Sequence, residues 1–188
     1  SLPPSTFQWN PAPEGQAGPS PCRADGFRPN AAGPAPFAWG DFDGDGKTDF
    51  VEGRDGLRVH LSGSAGLDAA SAIWLDAGTL DAALGKISPR YFLAGDFNGD
   101  RVEDLLVANS EGDALVLVSE GARFRVLCTF RHLAGERSAG AGPLDSRLTV
   151  ADVDGDGRDD LIVHGYDGVV RTYFSDGKEL RMRPGQLT

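Results

Sequence analysis

Apolar residues along this chain come in short runs, and in three places the runs follow one order. A segment of three or four residues opens each set: Phe37-Ala38-Trp39, Tyr91-Phe92-Leu93-Ala94 and Leu148-Thr149-Val150-Ala151. A polar, acidic stretch interrupts it, and a second apolar run follows at Phe50-Val51, Leu105-Leu106-Val107 and Leu161-Ile162-Val163. Then come Gly56, Gly112 and Gly168, of which Asp55-Gly56 and Asp167-Gly168 carry the hairpin signature of a residue pair suited to positive φ. The third run alternates cleanly at Leu57-Arg58-Val59-His60-Leu61 and is rich in β-branched and aromatic residues at 114–118 and 169–174. Each third run stops at a serine with a glycine close by, at Ser62, Ser119 and Ser175. A fourth strand is expected at 72–75, 124–130 and 180–183. The runs are too short for helices, so the pattern predicts all-β units of four antiparallel strands, about 55 residues each.

The interrupting stretch is nearly the same sentence three times: DFDGDGKTDF from 41, DFNGDRVEDL from 96 and DVDGDGRDDL from 152. Oxygen side chains fall at positions 1, 3, 5 and 9: Asp41, Asp43, Asp45 and Asp49; Asp96, Asn98, Asp100 and Asp104; Asp152, Asp154, Asp156 and Asp160. Hard oxygens packed so densely repel one another unless a hard cation lies among them. Ca2+ suits them, since it accepts six to eight oxygens at flexible geometry, and position 7 can add a main-chain carbonyl from Lys47, Val102 or Arg158. Up to three ions are expected. The 96–104 site is expected to be weakest, because Asn98 removes a charge and Arg101 stands where the other loops have Gly46 and Gly157. A solvated acidic turn would explain one copy; three copies at a constant period point to a repeat architecture.

Loop, flanking strands and period together resemble the FG-GAP/VCBS repeat family, whose calcium-loop blades occur in integrin α-subunit propellers, fungal lectins and secreted bacterial proteins. The resemblance covers roughly 37–183. It implies a β-propeller-like array of four-stranded blades, at about 37–90, 91–147 and 148–188, preceded by a Pro/Gly-rich N-terminal arm at 1–36. Three blades are fewer than the four to eight of known propellers. Closure would need a degenerate fourth blade from the arm and the C-terminal end, self-association of two chains, or a longer array. The first loop read on to Glu52 also matches an EF-hand, but Pro34, Pro36, Gly40, Gly53 and Gly56 leave no room for flanking helices, and the twelfth positions of the other copies are Val107 and Val163.

The net charge is −10, and the three loops hold four, four and five of the 28 acidic residues. The acidity therefore reports on metal binding rather than on a basic partner, and no basic stripe suggests nucleic acid. No apolar run reaches the roughly 18 residues of a membrane helix, so no membrane insertion is expected. The chain opens at Ser1, as after removal of an export signal or a cut, and the calcium loops imply a secreted, periplasmic or cell-surface protein. In such a setting Cys22 of the arm and Cys128 could pair, or Cys128 could simply be buried. In the arm, only 6–9 has strand character.

No catalytic constellation stands out. His60, His132 and His164 are isolated, with His60 expected to face solvent; Asp68, Asp76 and Asp81 show no partner pattern. Neither a nucleophile elbow nor a phosphate loop is present. The preferred reading is a calcium-binding recognition or adhesion module that displays loops to a protein or glycan ligand. The alternative is a segment, catalytic or not, of a secreted enzyme acting on polysaccharide or lipid. Trp9, Trp39 and Trp74 could stack on sugars, although packing is expected for Trp39. The variable segments 64–90 and 131–147 and the arm are the expected contact surfaces.

Overall fold

The computed structural model describes residues 35–53, 55–64, 66–68, 72–84, 89–109, 111–133 and 148–183. The arm, with Cys22 and the 6–9 strand, lies outside the described residues, as does most of 131–147. The first blade comprises β1 (Phe37–Gly40), β2 (Asp49–Gly53), β3 (Gly56–His60) and β6 (Ala72–Asp76), with a small ribbon of β4 (Ser62–Gly63) and β5 (Gly66–Leu67) between β3 and β6. Helix α1 (Ala77–Leu84) leads to the second blade, made of β7 (Pro89–Gly95), β8 (Asp104–Asn109), β9 (Ala114–Ser119) and β10 (Phe124–Phe130). The third contains β11 (Leu148–Ala151), β12 (Asp160–His164), β13 (Val170–Ser175) and β14 (Leu180–Met182). Every pairing is antiparallel, and each joins sequence neighbours except β3 with β6, which pair across the β4–β5 ribbon; the result is an all-β, propeller-like architecture. Within the described residues no helix is long and apolar enough to cross a membrane.

Register explains why the acidic loops are equivalent. Gly40 pairs with Asp49, Gly95 with Asp104 and Ala151 with Asp160, so in each blade positions 1–8 form the connection between the first and second strands. Strands, not helices, flank the loops, which removes the EF-hand reading.

Two apolar cores lie between the sheets. Ala38, Val51, Leu57 and Val59 of the first blade meet Phe92, Leu105, Val107, Leu115 and Leu117 of the second. On the other side, Leu106, Ala108, Ala114 and Val116 meet Leu148, Leu161 and Val163 of the third. Because strand side chains alternate between faces, β8 and β9 feed both cores, and every residue of each is buried. That is why the middle blade reads as a continuous apolar run.

Equivalent positions differ according to whether a blade follows or precedes. Phe42 and Phe97, at loop position 2, are 0 % exposed beneath the next blade, whereas Val153 at the same position of the third blade is 49 % exposed. Phe92 and Leu148 are buried against the preceding blade, while Phe37, their counterpart in the first, is 55 % exposed. Trp39 departs from the expected packing for the same reason: it is 47 % exposed and lies against Phe50, 4.7 Å between ring centroids. Trp74 is buried, 5.3 Å from the Phe124 ring, and cannot offer a sugar face. Helix α1, within a segment expected to be loop, docks Leu80 into the first core.

Replacing Phe97 by Ala should destabilise the protein by about 3–5 kcal/mol, as expected for a buried phenylalanine. Val153→Ala, at the matching position of the third blade, should cost less than about 0.5 kcal/mol. Urea unfolding of the two variants checks the contrast.

Candidate metal centre

Each loop is wound around its first aspartate. Asp41 accepts the Gly44 and Gly46 N–H groups, both at 2.8 Å. Asp96 accepts those of Gly99 and Arg101 at 2.6 and 2.7 Å, and Asp152 those of Gly155 and Gly157 at 2.7 and 3.0 Å. Positions 3 and 5 repeat the device two residues on: Asp43, Asn98 and Asp154 each accept the N–H of position 5, and Asp45, Asp100 and Asp156 each accept that of position 7. Side-chain oxygens from alternate residues are thereby turned to one side of a tight coil. The sixth residue adopts left-handed geometry in all three loops, with φ of +84° at Gly46, +71° at Arg101 and +85° at Gly157. A side chain there costs about 1–2 kcal/mol, so the middle loop is strained at Arg101.

The ninth position behaves differently. Asp49, Asp104 and Asp160 are fully buried, and each carboxylate receives two main-chain donors. Asp49 accepts Phe42 N–H at 3.0 Å and Ser62 N–H at 2.8 Å. Asp104 accepts Phe97 at 3.0 Å and Ser119 at 2.9 Å; Asp160 accepts Val153 at 3.1 Å and Ser175 at 2.9 Å. One oxygen thus holds the loop and the other the end of the third strand. Burial, opposed by these hydrogen bonds, raises the carboxyls of Asp49 and Asp160 above the usual carboxylate range and pushes Asp104 up to about 7. Neighbouring loop aspartates push in the same upward direction.

Two groups of carboxylates converge within metal-sharing distance. Oxygens of Asp41, Asp43 and Asp49 lie within 4.8 Å of one another, as do those of Asp152, Asp154 and Asp156. The expected set of four is therefore split. Asp45, whose second oxygen turns to the Lys47 ammonium, lies outside the first group, and Asp160 lies outside the second, although Asp49, with the same pair of N–H donors, joins the first. Asp156 and Asp154 also meet the guanidinium groups of Arg158 and Arg183. In the middle loop the Asn98 amide donates to Asp100 at 2.8 Å, and no three carboxylates converge there among the described residues. The donors are all hard oxygens, and converging, mutually repelling carboxylates are what a divalent cation would offset. The residues fit calcium.

The sequence marks the three serines as strand ends but not what they bond, and it does not mark the eighth-position residues at all. Ser119 Oγ donates to Phe42 O and Ser175 Oγ to Phe97 O, both at 2.5 Å, across blade boundaries. The recurrence of serine 13, 15 and 15 residues after the buried aspartate was the available signal. His60, expected to face solvent, is largely buried, 3.4 Å from Glu52 and against the Phe50 ring. Asp76 caps α1 through Thr79. Cys128 is half-buried, and burial pushes its thiol up to about 11.

Residues 96–163, from the second loop through β12, match the FG-GAP-like repeat. That stretch spans the second and third acidic loops. No curated protein matches the chain. Among solved structures, the chain is similar to an Agrocybe aegerita lectin described as specifically recognising non-reducing terminal N-acetylglucosamine, with a TM-score of 0.54 and 19 % identity. The alignment covers 79 % of this chain but only 36 % of that one, so the chain spans about a third of the lectin's length, and the likeness is one of fold. An exotype rhamnogalacturonan lyase, YesX, aligns at a TM-score of 0.42 and 20 % identity over 76 % of this chain and 30 % of that one, too loosely to support an argument.

Asp104→Ala would leave the buried Phe97 and Ser119 N–H groups without their acceptor and should cost about 2–4 kcal/mol in chemical denaturation. Its pH dependence has a definite sign. A carboxyl raised to about 7 in the folded state keeps a proton that the unfolded chain has lost. Its contribution is therefore fully present below about pH 4 and disappears as pH rises through about 7. In EDTA, melting temperature should fall more steeply over that window in the wild type than in Asp104→Ala; equal slopes contradict the assignment.

Proposed function

We propose that this chain is a calcium-stabilised recognition module of a secreted, periplasmic or cell-surface protein, and that it presents an aromatic surface to a glycan. The observation that carries the reading is the threefold repetition of a coil of hard oxygens wound around its first aspartate and closed by a buried, doubly hydrogen-bonded ninth one. Such a set is costly to keep charged and bare, and calcium would supply the missing positive charge. Asp41, Asp43 and Asp49 would hold one ion and Asp152, Asp154 and Asp156 another. Asp96, Asn98, Asp100 and Asp104 form the weaker third, with Asp45 and Asp160 and the carbonyls of Lys47, Val102 and Arg158 as further donors. Calcium sites of extracellular modules need only bind in about the 10⁻⁴–10⁻³ M range.

Glycan recognition is supported by two features. The fold is shared with a lectin, and Phe37 and Trp39 expose aromatic surface on the first strand of the first blade. Exposed aromatic rings suit the apolar faces of sugars, and the Glu52–His60 pair beside them supplies polar groups. The ions in this reading are structural. They brace the blades, while ligand contact falls on the exposed face.

Titration calorimetry with CaCl2 should show saturable binding, and EDTA should lower the melting temperature. At a hundredfold excess over Kd each site adds about 2.7 kcal/mol. An unmoved transition in EDTA would mean that the loops are solvated turns. On a glycan array, Trp39→Ala should lose binding while its calcium-bound melting temperature stays within a few degrees of wild type; undiminished binding places the ligand elsewhere.

A further inference from the structure

The loops do not stand alone. The eighth residue of each later loop donates its N–H to the first residue of the loop before it: Glu103 to Asp41 O at 2.8 Å, and Asp159 to Asp96 O at 2.7 Å. The serine ending the third strand reaches the second residue of that same earlier loop, as Ser119 to Phe42 O and Ser175 to Phe97 O. The seventh residue covers the glycine at position 4. A methyl group on Gly44 would lie 3.0 Å from Val102 Cγ2, and one on Gly99 would lie 2.9 Å from Arg158 Cγ. Gly40 and Gly95, just before each first aspartate, have no space for a side chain. A methyl on Gly40 would fall 2.9 Å from Glu103 Cβ, and one on Gly95 would collide with Val150. Position for position, then, blade two clasps loop one and blade three clasps loop two.

The clasp on loop two is the more complete. Asp159 Oδ2 also accepts the Asp96 N–H at 2.9 Å, so Asp159 holds the main chain of Asp96 on both sides. Asp96 is the hub whose carboxylate gathers Gly99, Asp100 and Arg101. Loop three has no comparable cover among the described residues. A methyl on Gly155 or Gly157 would meet nothing within 4 Å, and the residue before Asp152 is Ala151 rather than glycine.

We propose that each of the first two cation sites is coupled to the docking of the following blade, so that Ser119 positions loop one, and Asp159 and Ser175 position loop two. This rests on the calcium reading above. The coupling follows from shared atoms: the residue around which the oxygen coil winds is also the acceptor of the next blade. An ion that fixes the coil fixes the docking surface, and by linkage docking favours the ion by the same factor. Removing such a supporting contact typically costs 10- to 100-fold in metal affinity.

The test is a CaCl2 titration of the full chain followed by amide NMR at Gly44, Gly99 and Gly155, one reporter per loop. Ser175→Ala removes a hydroxyl bonded to Phe97 O in loop two and to no residue of loop three; it should raise half-saturation at Gly99 about tenfold, with Gly44 and Gly155 changed less than about twofold. Ser119→Ala should shift Gly44 alone. Asp159→Ala should also weaken loop two, and Asp159→Asn, whose amide oxygen can still accept the Asp96 N–H, should restore it to within about twofold of wild type. An effect confined to the variant's own blade, one spread equally over all three loops, or none would overturn the proposal. Those outcomes leave the calcium reading standing. Absence of any saturable shift in the wild type would overturn both.

Discussion

Everything distinctive in this structure depends on one buried carboxylate per blade. A fully buried aspartate is expensive unless its oxygens are satisfied, and Asp49, Asp104 and Asp160 solve the problem alike. One oxygen takes the N–H of loop position 2, and the other takes the N–H of a serine, at the end of the third strand for Ser119 and Ser175 and two residues past it for Ser62. A hairpin connection and a strand end, 13 to 15 residues apart, are thereby held together. The oxygen coil can be tight only because its last residue is anchored, and the serine hydroxyl is then free to reach the neighbouring blade.

That arrangement turns a local loop into an element of blade stacking. The main-chain carbonyl of position 1 and that of position 2 both accept donors from the next blade, and the side chain of position 2 fills the core between them. The consequence is directional. Loops one and two are covered from one side by the blade that follows, whereas loop three keeps its outer side exposed, as does Val153. At the opposite end Phe37 and Trp39 are exposed, where Phe92 and Leu148 are buried and Ala94 and Val150 partly buried. The ends of the array therefore carry the surfaces that the interior uses for packing.

Much of this was legible from residue order. Strand positions followed from short apolar runs and glycine turns, and β10 occupies the 124–130 expected of it. The acidic loops fell in identical register because their spacing is nearly constant. What sequence could not show was which face of each blade meets another blade. Trp39 looks like a packing residue until the sheet is seen to have no described neighbour before it. Asp45 and Asp160 look equivalent to the other donors, yet Asp45 is drawn off by Lys47 and neither joins the carboxylates that converge in its loop. The helix at 77–84 was hidden because Ala-Gly-Thr-Leu-Asp carries little amphipathic signal. The serines were visible as strand ends, but their reach across blades depends on tertiary geometry that no period reveals.

The central claim is that the buried aspartates hold loop to strand. Native-state hydrogen exchange on the metal-free protein tests it most directly, through the amides of Phe97 and Ser119, which share Asp104. Both should exchange only through global unfolding, with equal protection, and both should lose that protection together in Asp104→Ala. If either amide exchanges in wild type as quickly as the exposed Asp45 and Lys47 amides, the aspartate is not the brace and the account is wrong.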